Sequence, residues 1–196
     1  MKSHKEIINT LSDRDLLLNL YLSQAVMLFL ALVFSRFLLG SWLAPFEMIT
    51  FSADAVLLGF AIAAVVVAVE LVFVRYLPGS FFDDGGINER VFKDRPFFHI
   101  LIISLTVAVC EEILFRGVIQ TSFGIIIASV IFALIHFRYL HQPFLFGFTV
   151  ILSFLLGFVY LWTGNLLTVI SAHFFIDAIL GLLIRYNVLN RIGKNP

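Results

Sequence analysis

Long apolar runs broken by short polar punctuation dominate the chain. Six stretches reach or approach the ~20 apolar residues a helix needs to cross a bilayer core. They are residues 16–39, 55–74, 97–120, 124–140, 144–162 and 166–185. Gly40 and Pro45, Pro78 and Gly79, Gly85 and Gly86, Gly124, Pro143, and Gly164 with Asn165 fall between them, residues that favour turns. The runs are apolar on both parities, whereas a membrane strand would alternate. The pattern predicts an all-α, polytopic membrane protein of about six transmembrane helices. It is expected to form a single transmembrane domain over 1–196. The fourth stretch is short for a crossing, which fits a tilted or partly buried segment.

Composition agrees: 61% of residues are hydrophobic and 13% charged, against roughly 25% charged in a soluble domain. Thirteen basic residues balance thirteen acidic ones, so no basic surplus points to nucleic acid. The single cysteine, Cys110, excludes an internal disulfide and a cysteine zinc cluster. No cleavable signal peptide is expected, because the first apolar run is too long for one. No repeat relates the first three stretches to the last three, which argues against an inverted-repeat transporter.

The basic residues sort by side. Lys2, Lys5 and Arg14 precede the first stretch; Arg75, Arg90, Lys93 and Arg95 follow the second. Arg138 ends the fourth, and Arg185, Arg191 and Lys194 follow the last. The other connections carry none, so the positive-inside rule places both termini in the cytoplasm. The plasma (cell) membrane is the expected location. Within the long polar connection, residues 88–94 suit either a surface turn of helix, with Ile87, Val91 and Phe92 toward lipid, or a solvated linker.

The deep ionisable residues carry the chemistry. Glu111, Glu112, Arg116, His136, His173 and Asp177 lie within apolar stretches. Facing lipid they would cost on the order of 15 kcal/mol together, so they must face one another or a wet cavity. Counted from the turns near 120–124 and 162–165 at ~1.5 Å per residue, Glu111 lies about 15 Å deep, His136 about 18 Å, His173 about 12 Å and Asp177 about 18 Å. Three stretches thus bring polar groups to similar depth. Glu112 and Arg116 are four apart, in the order that favours an ion pair. Glu111 points roughly 140° away from Arg116 on an α-helix and reads as unpaired. His173 and Asp177, also four apart, share a face.

A poorly hydrated carboxylate beside a like charge is a good base. Glu111 with His136 would take a proton from water, and His173 with residue 177 would bind the oxyanion. The same four side chains are also ordinary zinc ligands, so zinc and no metal both stay open. Either version activates water against a carbonyl, predicting amide hydrolysis inside the membrane.

The run Glu111-Glu112-Ile113-Leu114-Phe115-Arg116 resembles the EExxxR motif of the CPBP family (CAAX protease and bacteriocin-processing enzymes). Phe132 to His136 resembles its FxxxH, and His173 to Asp177 its HxxxN/D. The order and helical placement match over about 97–185, which the resemblance implies is the catalytic core. The resemblance implies an intramembrane endopeptidase related to type II CAAX prenyl endopeptidases, acting on a membrane-bound or lipidated peptide of CAAX or leader-peptide type. It implies Glu111 and His136 as the water-activating pair, His173 and Asp177 on the oxyanion side, and Glu112, Arg116 and Phe132 as supporting motif residues. It is compatible with a metal-bound or a metal-free glutamate mechanism. The chain departs from the pattern twice. Asp177 stands where Asn is more usual, and an ionised Asp cannot donate to an oxyanion. The link between the first two motifs is short and carries no basic residue.

Two rivals remain at this level: a non-catalytic membrane scaffold whose polar residues clamp helices, and an ion-coupled transporter using them as a proton relay. No HExxH occurs, so a zincin is absent. Cys110 should point away from Glu111, and Ser104, Ser129 and Ser171 should bond to helix backbone. Glu70 and Arg36 lie near helix ends, where long side chains reach the interface. His99 and His141 read as incidental.

Overall fold

The computed structural model describes residues 11–193; the expectations placed on Lys2, Lys5 and Lys194 lie outside them. The elements, in order, are α1 (Asp13–Leu38), short α2 (Ala44–Glu47), α3 (Ala53–Tyr76), a 3-10 turn (Gly79–Phe82), α4 (Ile87–Phe92) and α5 (Phe97–Glu112). A π-helical segment (Ile113–Gln120) continues α5, followed by α6 (Thr121–Ile135), a 3-10 turn (Phe137–Tyr139), α7 (Pro143–Thr163), α8 (Leu166–Arg185) and α9 (Val188–Ile192). Among the described residues every element is helical. Five helical runs are long and apolar enough to cross a membrane, and the protein is an integral membrane protein. The third run, Phe97–Ile135, has 39 residues and contains the third and fourth predicted stretches.

That run is not one rod. Gly124 adopts φ 85°, ψ 168°, a conformation essentially reserved for glycine, and the chain doubles back there. Phe115 meets Phe132 edge-on with ring centroids 5.0 Å apart, and Ile119 shares a buried cluster with Ala128. Both pairs are symmetric about Gly124, as a hairpin requires.

The fourth stretch ends sooner than its hydropathy suggests. His136, with φ −82° and ψ 39°, terminates α6, where 140 was expected. From Gly124 to His136 the rise is about 18 Å, little more than half the hydrocarbon thickness. The next regular helix begins at Pro143. Irregular backbone at this depth is tolerated only against protein or a watery cavity.

Sharp caps fix the other long helices. Ser12 and Asp15 close a capping box on α1, Ser52 caps α3, and Asn165 caps α8. Asn165 also clasps Thr50, accepting from its N–H at 3.0 Å and donating to its carbonyl at 2.8 Å. α3 lies hard against α8: a Cβ on Gly59 would come within 2.6 Å of Ser171 Cβ and 2.8 Å of the Ala172 nitrogen.

Two local expectations are corrected. Val91 is buried and Phe92 packs over Gly181 of α8, so α4 inserts its apolar face into the bundle instead of lipid. Arg90 anchors it to α1 through Asp13 at 2.7 Å. The hydroxyls of Ser104 and Ser129 are buried without a hydrogen-bond partner among the described residues, not bonded to backbone. Arg36 does reach the interface side, donating to the Gly40 carbonyl at 3.4 Å.

Candidate active site

The site grows from the junction of α5 with the π segment. Glu111 and Glu112 close α5, and all eight residues from Ile113 to Gln120 are buried. A π-helix pairs i with i+5 and is uncommon outside functional positions; its extra residue per turn is invisible to a count made at α-helical pitch. Thr121 donates from Oγ1 to the Arg116 carbonyl at 3.0 Å. Gly117 lets Pro45 of α2 close over the segment, since a Cβ there would meet Pro45 at 2.9 Å.

Arg116 is fully enclosed. It donates from Nη1 to Glu112 Oε1 at 3.2 Å and from Nη2 to the Ser153 carbonyl at 2.9 Å and hydroxyl at 3.1 Å on α7. The guanidinium carbon lies 4.8 Å from the Phe132 ring centroid, a cation–π distance. The Phe132 of the second motif is therefore the plate on which the first motif's cation rests.

Glu112 does more than neutralise Arg116. The same Oε1 accepts from His173 Nδ1 at 2.8 Å, joining α5 to α8. On its other side, His173 Nε2 stands 3.6 Å from Asp177 Oδ2, an ionic separation longer than a hydrogen bond. Asp177 is part-exposed, whereas His173 and Glu112 are buried.

Glu111, expected to be unpaired, is not. Gln24 of α1 donates from Nε2 to Glu111 Oε1 at 3.2 Å, and both residues are buried. Gln24 lies in a helix that the motifs do not include. Its signal was present: a buried amide in an otherwise apolar stretch needs a partner.

His136 caps its helix on itself. Its Nδ1 lies 2.8 Å from the Phe132 carbonyl. A carbonyl only accepts, so Nδ1 carries the proton and Nε2 holds the lone pair when the ring is neutral. The ring lies 4.6 Å from the Phe132 ring. His99 is also engaged, 3.1 Å from the Tyr21 hydroxyl.

Zinc was left open on Glu111, His136, His173 and Asp177. The donor geometry does not fit it: among the described residues, no three His, Cys, Asp or Glu side chains converge as ligands. Both His173 nitrogens face carboxylates, Glu111 holds Gln24, and His136 presents one nitrogen.

Residues 93–179 match the family model described as "Type II CAAX prenyl endopeptidase Rce1-like". The chain is also 44% identical to the uncharacterized protein YpbD of Bacillus subtilis (strain 168) over 133 residues, 68% of this chain and 70% of that protein. The chain belongs to the Rce1-like CAAX protease family. No solved structure matches it. The matched span begins with Lys93 at the end of α4 and closes just past Asp177, so all three motifs of this Rce1-like protein fall inside it, while Gln24 of α1 falls outside.

Proposed function

We propose that the protein is an intramembrane endopeptidase that hydrolyses a peptide bond of a membrane-associated substrate, of CAAX or leader-peptide type, by Glu/His-activated water. The observation that carries the reading is the buried Arg116–Glu112–His173 link between two helices, beside a second buried carboxylate, Glu111. A scaffold needs one such clamp; hydrolysis needs the additional base.

Glu111 is the general base. Gln24 holds one of its oxygens and leaves the other for a water molecule. His136 Nε2, its lone pair fixed by the Nδ1 bond to Phe132, accepts the second hydrogen of that water. The water oxygen attacks the scissile carbonyl, and its proton passes to Glu111. His173, as the imidazolium, donates from Nδ1 to Glu112 and from Nε2 to the developing oxyanion. Asp177, 3.6 Å from the same Nε2, favours that cation by its charge, which gives an acid at this position a role that does not require it to donate. The carbonyl reforms, the C–N bond breaks, and Glu111 returns its proton to the leaving amine. Preorganised donors at an oxyanion are commonly worth 10²–10³ in rate.

The asymmetry of basic residues supports both termini in the cytoplasm, and the plasma membrane is the location this reading takes. Substrate and lipid are the partners of this reading, and no nucleic acid is. Purified protein with a set of membrane-anchored fluorogenic peptides tests it: cleavage by the wild type and none by Glu111→Gln is expected. Equal cleavage by both ends the assignment.

A further inference from the structure

Glu70 of α3 was expected to reach the interface, but it turns inward. Its Oε2 is buried and has no hydrogen-bond partner among the described residues. The side chain lines a cavity of about 630 Å³. The cavity lies between α3, α8, the 79–89 segment and the chain after Asn187, at the end of the bundle opposite Gly124.

Its chemistry is divided by height. Val74, Phe82, Leu145, Leu180 and Ile184 give apolar walls, and Glu70 lies below the rim, six residues inside the end of α3. The rim carboxylates are already engaged: Asp84 accepts from Gly86 and Asn88 backbone N–H groups, and Glu89 pairs with Lys93 at 2.8 Å. Asp83 accepts from the Gly85 N–H; among the described residues, Glu70 Oε2 is a buried carboxylate oxygen at this cavity without a hydrogen-bond partner. An unpaired carboxylate at depth is costly and calls for a cation. A long apolar stem with a charged tip fits such a shape, and lysine and arginine are built that way.

The cavity also adjoins the site. Asp177 acts electrostatically on Glu70, and the Gly59–Ser171 contact sets the two parallel helices in register. Counted from it, Glu70 lies about one turn beyond Asp177 toward the cavity. His173, Asp177 and Glu70 thus step from the buried link toward the cavity floor.

We propose that this cavity is a subsite for a basic side chain, lysine or arginine, of the protein substrate, with Glu70 as its counter-ion; the inference rests on the endopeptidase reading above. The substrate would then enter from the face bearing residues 77–96 and 186–193.

The test uses the full chain carrying Glu111→Gln in phosphatidylglycerol nanodiscs. Carbodiimide modification of Glu70 is followed by peptide mass spectrometry. The probes are N-palmitoyl peptides with one Lys, their norleucine counterparts, and n-butylguanidinium against n-pentanol. The cationic probes are expected to slow labelling at least fivefold, the neutral ones not at all. Equal labelling with both sets overturns the subsite. Protection by phosphatidylethanolamine discs alone also overturns it, since a lipid ammonium would then be the occupant. In a parallel assay on active protein, Glu70→Gln should raise KM for the Lys peptides to that of the norleucine peptides, with kcat unchanged. Protection of Glu70 without cleavage of any peptide by the wild type would sink the endopeptidase reading while leaving the cation pocket standing.

Discussion

His173 Nδ1 and Glu112 Oε1 lie 2.8 Å apart, and through that oxygen the imidazole on α8 is tied to Arg116 in the π segment. A single carboxylate oxygen thus serves a guanidinium and an imidazole from two elements. Its loss would strand both.

Glu112→Ala should therefore act on stability before activity. Removing one partner of a buried ion pair costs about 3–5 kcal/mol. Thermal unfolding in detergent should show a large drop in Tm, and Arg116→Ala should resemble it. A variant as stable as the wild type would mean that water already solvates Arg116.

Glu111→Gln and His136→Ala should abolish cleavage while leaving the melting curve close to the wild type. The measurement is turnover of a membrane-anchored peptide beside circular dichroism of the same sample. Residual wild-type turnover in either variant removes that residue from the mechanism.

Gln24→Leu removes the donor that orients Glu111. A drop of about tenfold in kcat/KM is expected, equivalent to ~1.4 kcal/mol. KM should change little, because Gln24 holds the base and not the substrate. An unchanged kcat/KM would make Gln24 a packing residue.

Chelation should not stop the enzyme. The side-chain donors are committed to one another, so 1,10-phenanthroline should leave turnover unchanged. Loss of activity that added zinc restores would overturn this.

Gly124→Ala forces a side chain into φ 85°, ψ 168°, at a cost of order 1–3 kcal/mol. Gly59→Val should be worse, because the atoms in its way include the Thr168 oxygen and Ala172 nitrogen of the α8 backbone. Thermal melts should rank the two in that order.

The helices and their order were legible because membrane hydropathy is a coarse signal that survives local irregularity. The Glu112–Arg116 contact was legible because four-residue spacing brings side chains together in any regular helix. The rest depended on non-local or irregular features. Glu112's second partner comes from a helix 61 residues away, and Gln24 lies 87 residues from Glu111; no periodicity encodes either pairing. The early end of α6 was hidden because Phe137, Tyr139 and Leu140 prolong the apolar run while the backbone turns. Glu70 was misplaced because depth along a helix does not say which way a side chain faces.

A span that stops at His136 leaves one flank of the protein with a wall much shorter than the acyl chains beside it. Irregular backbone over 136–142 is tolerated only against protein or water, so a leaflet that dimples there and admits headgroups or water suits that flank. Peptide hydrolysis needs water and an unwound strand, and a dimpled leaflet supplies one and tolerates the other. Thicker, sterol-rich membranes should resist that deformation.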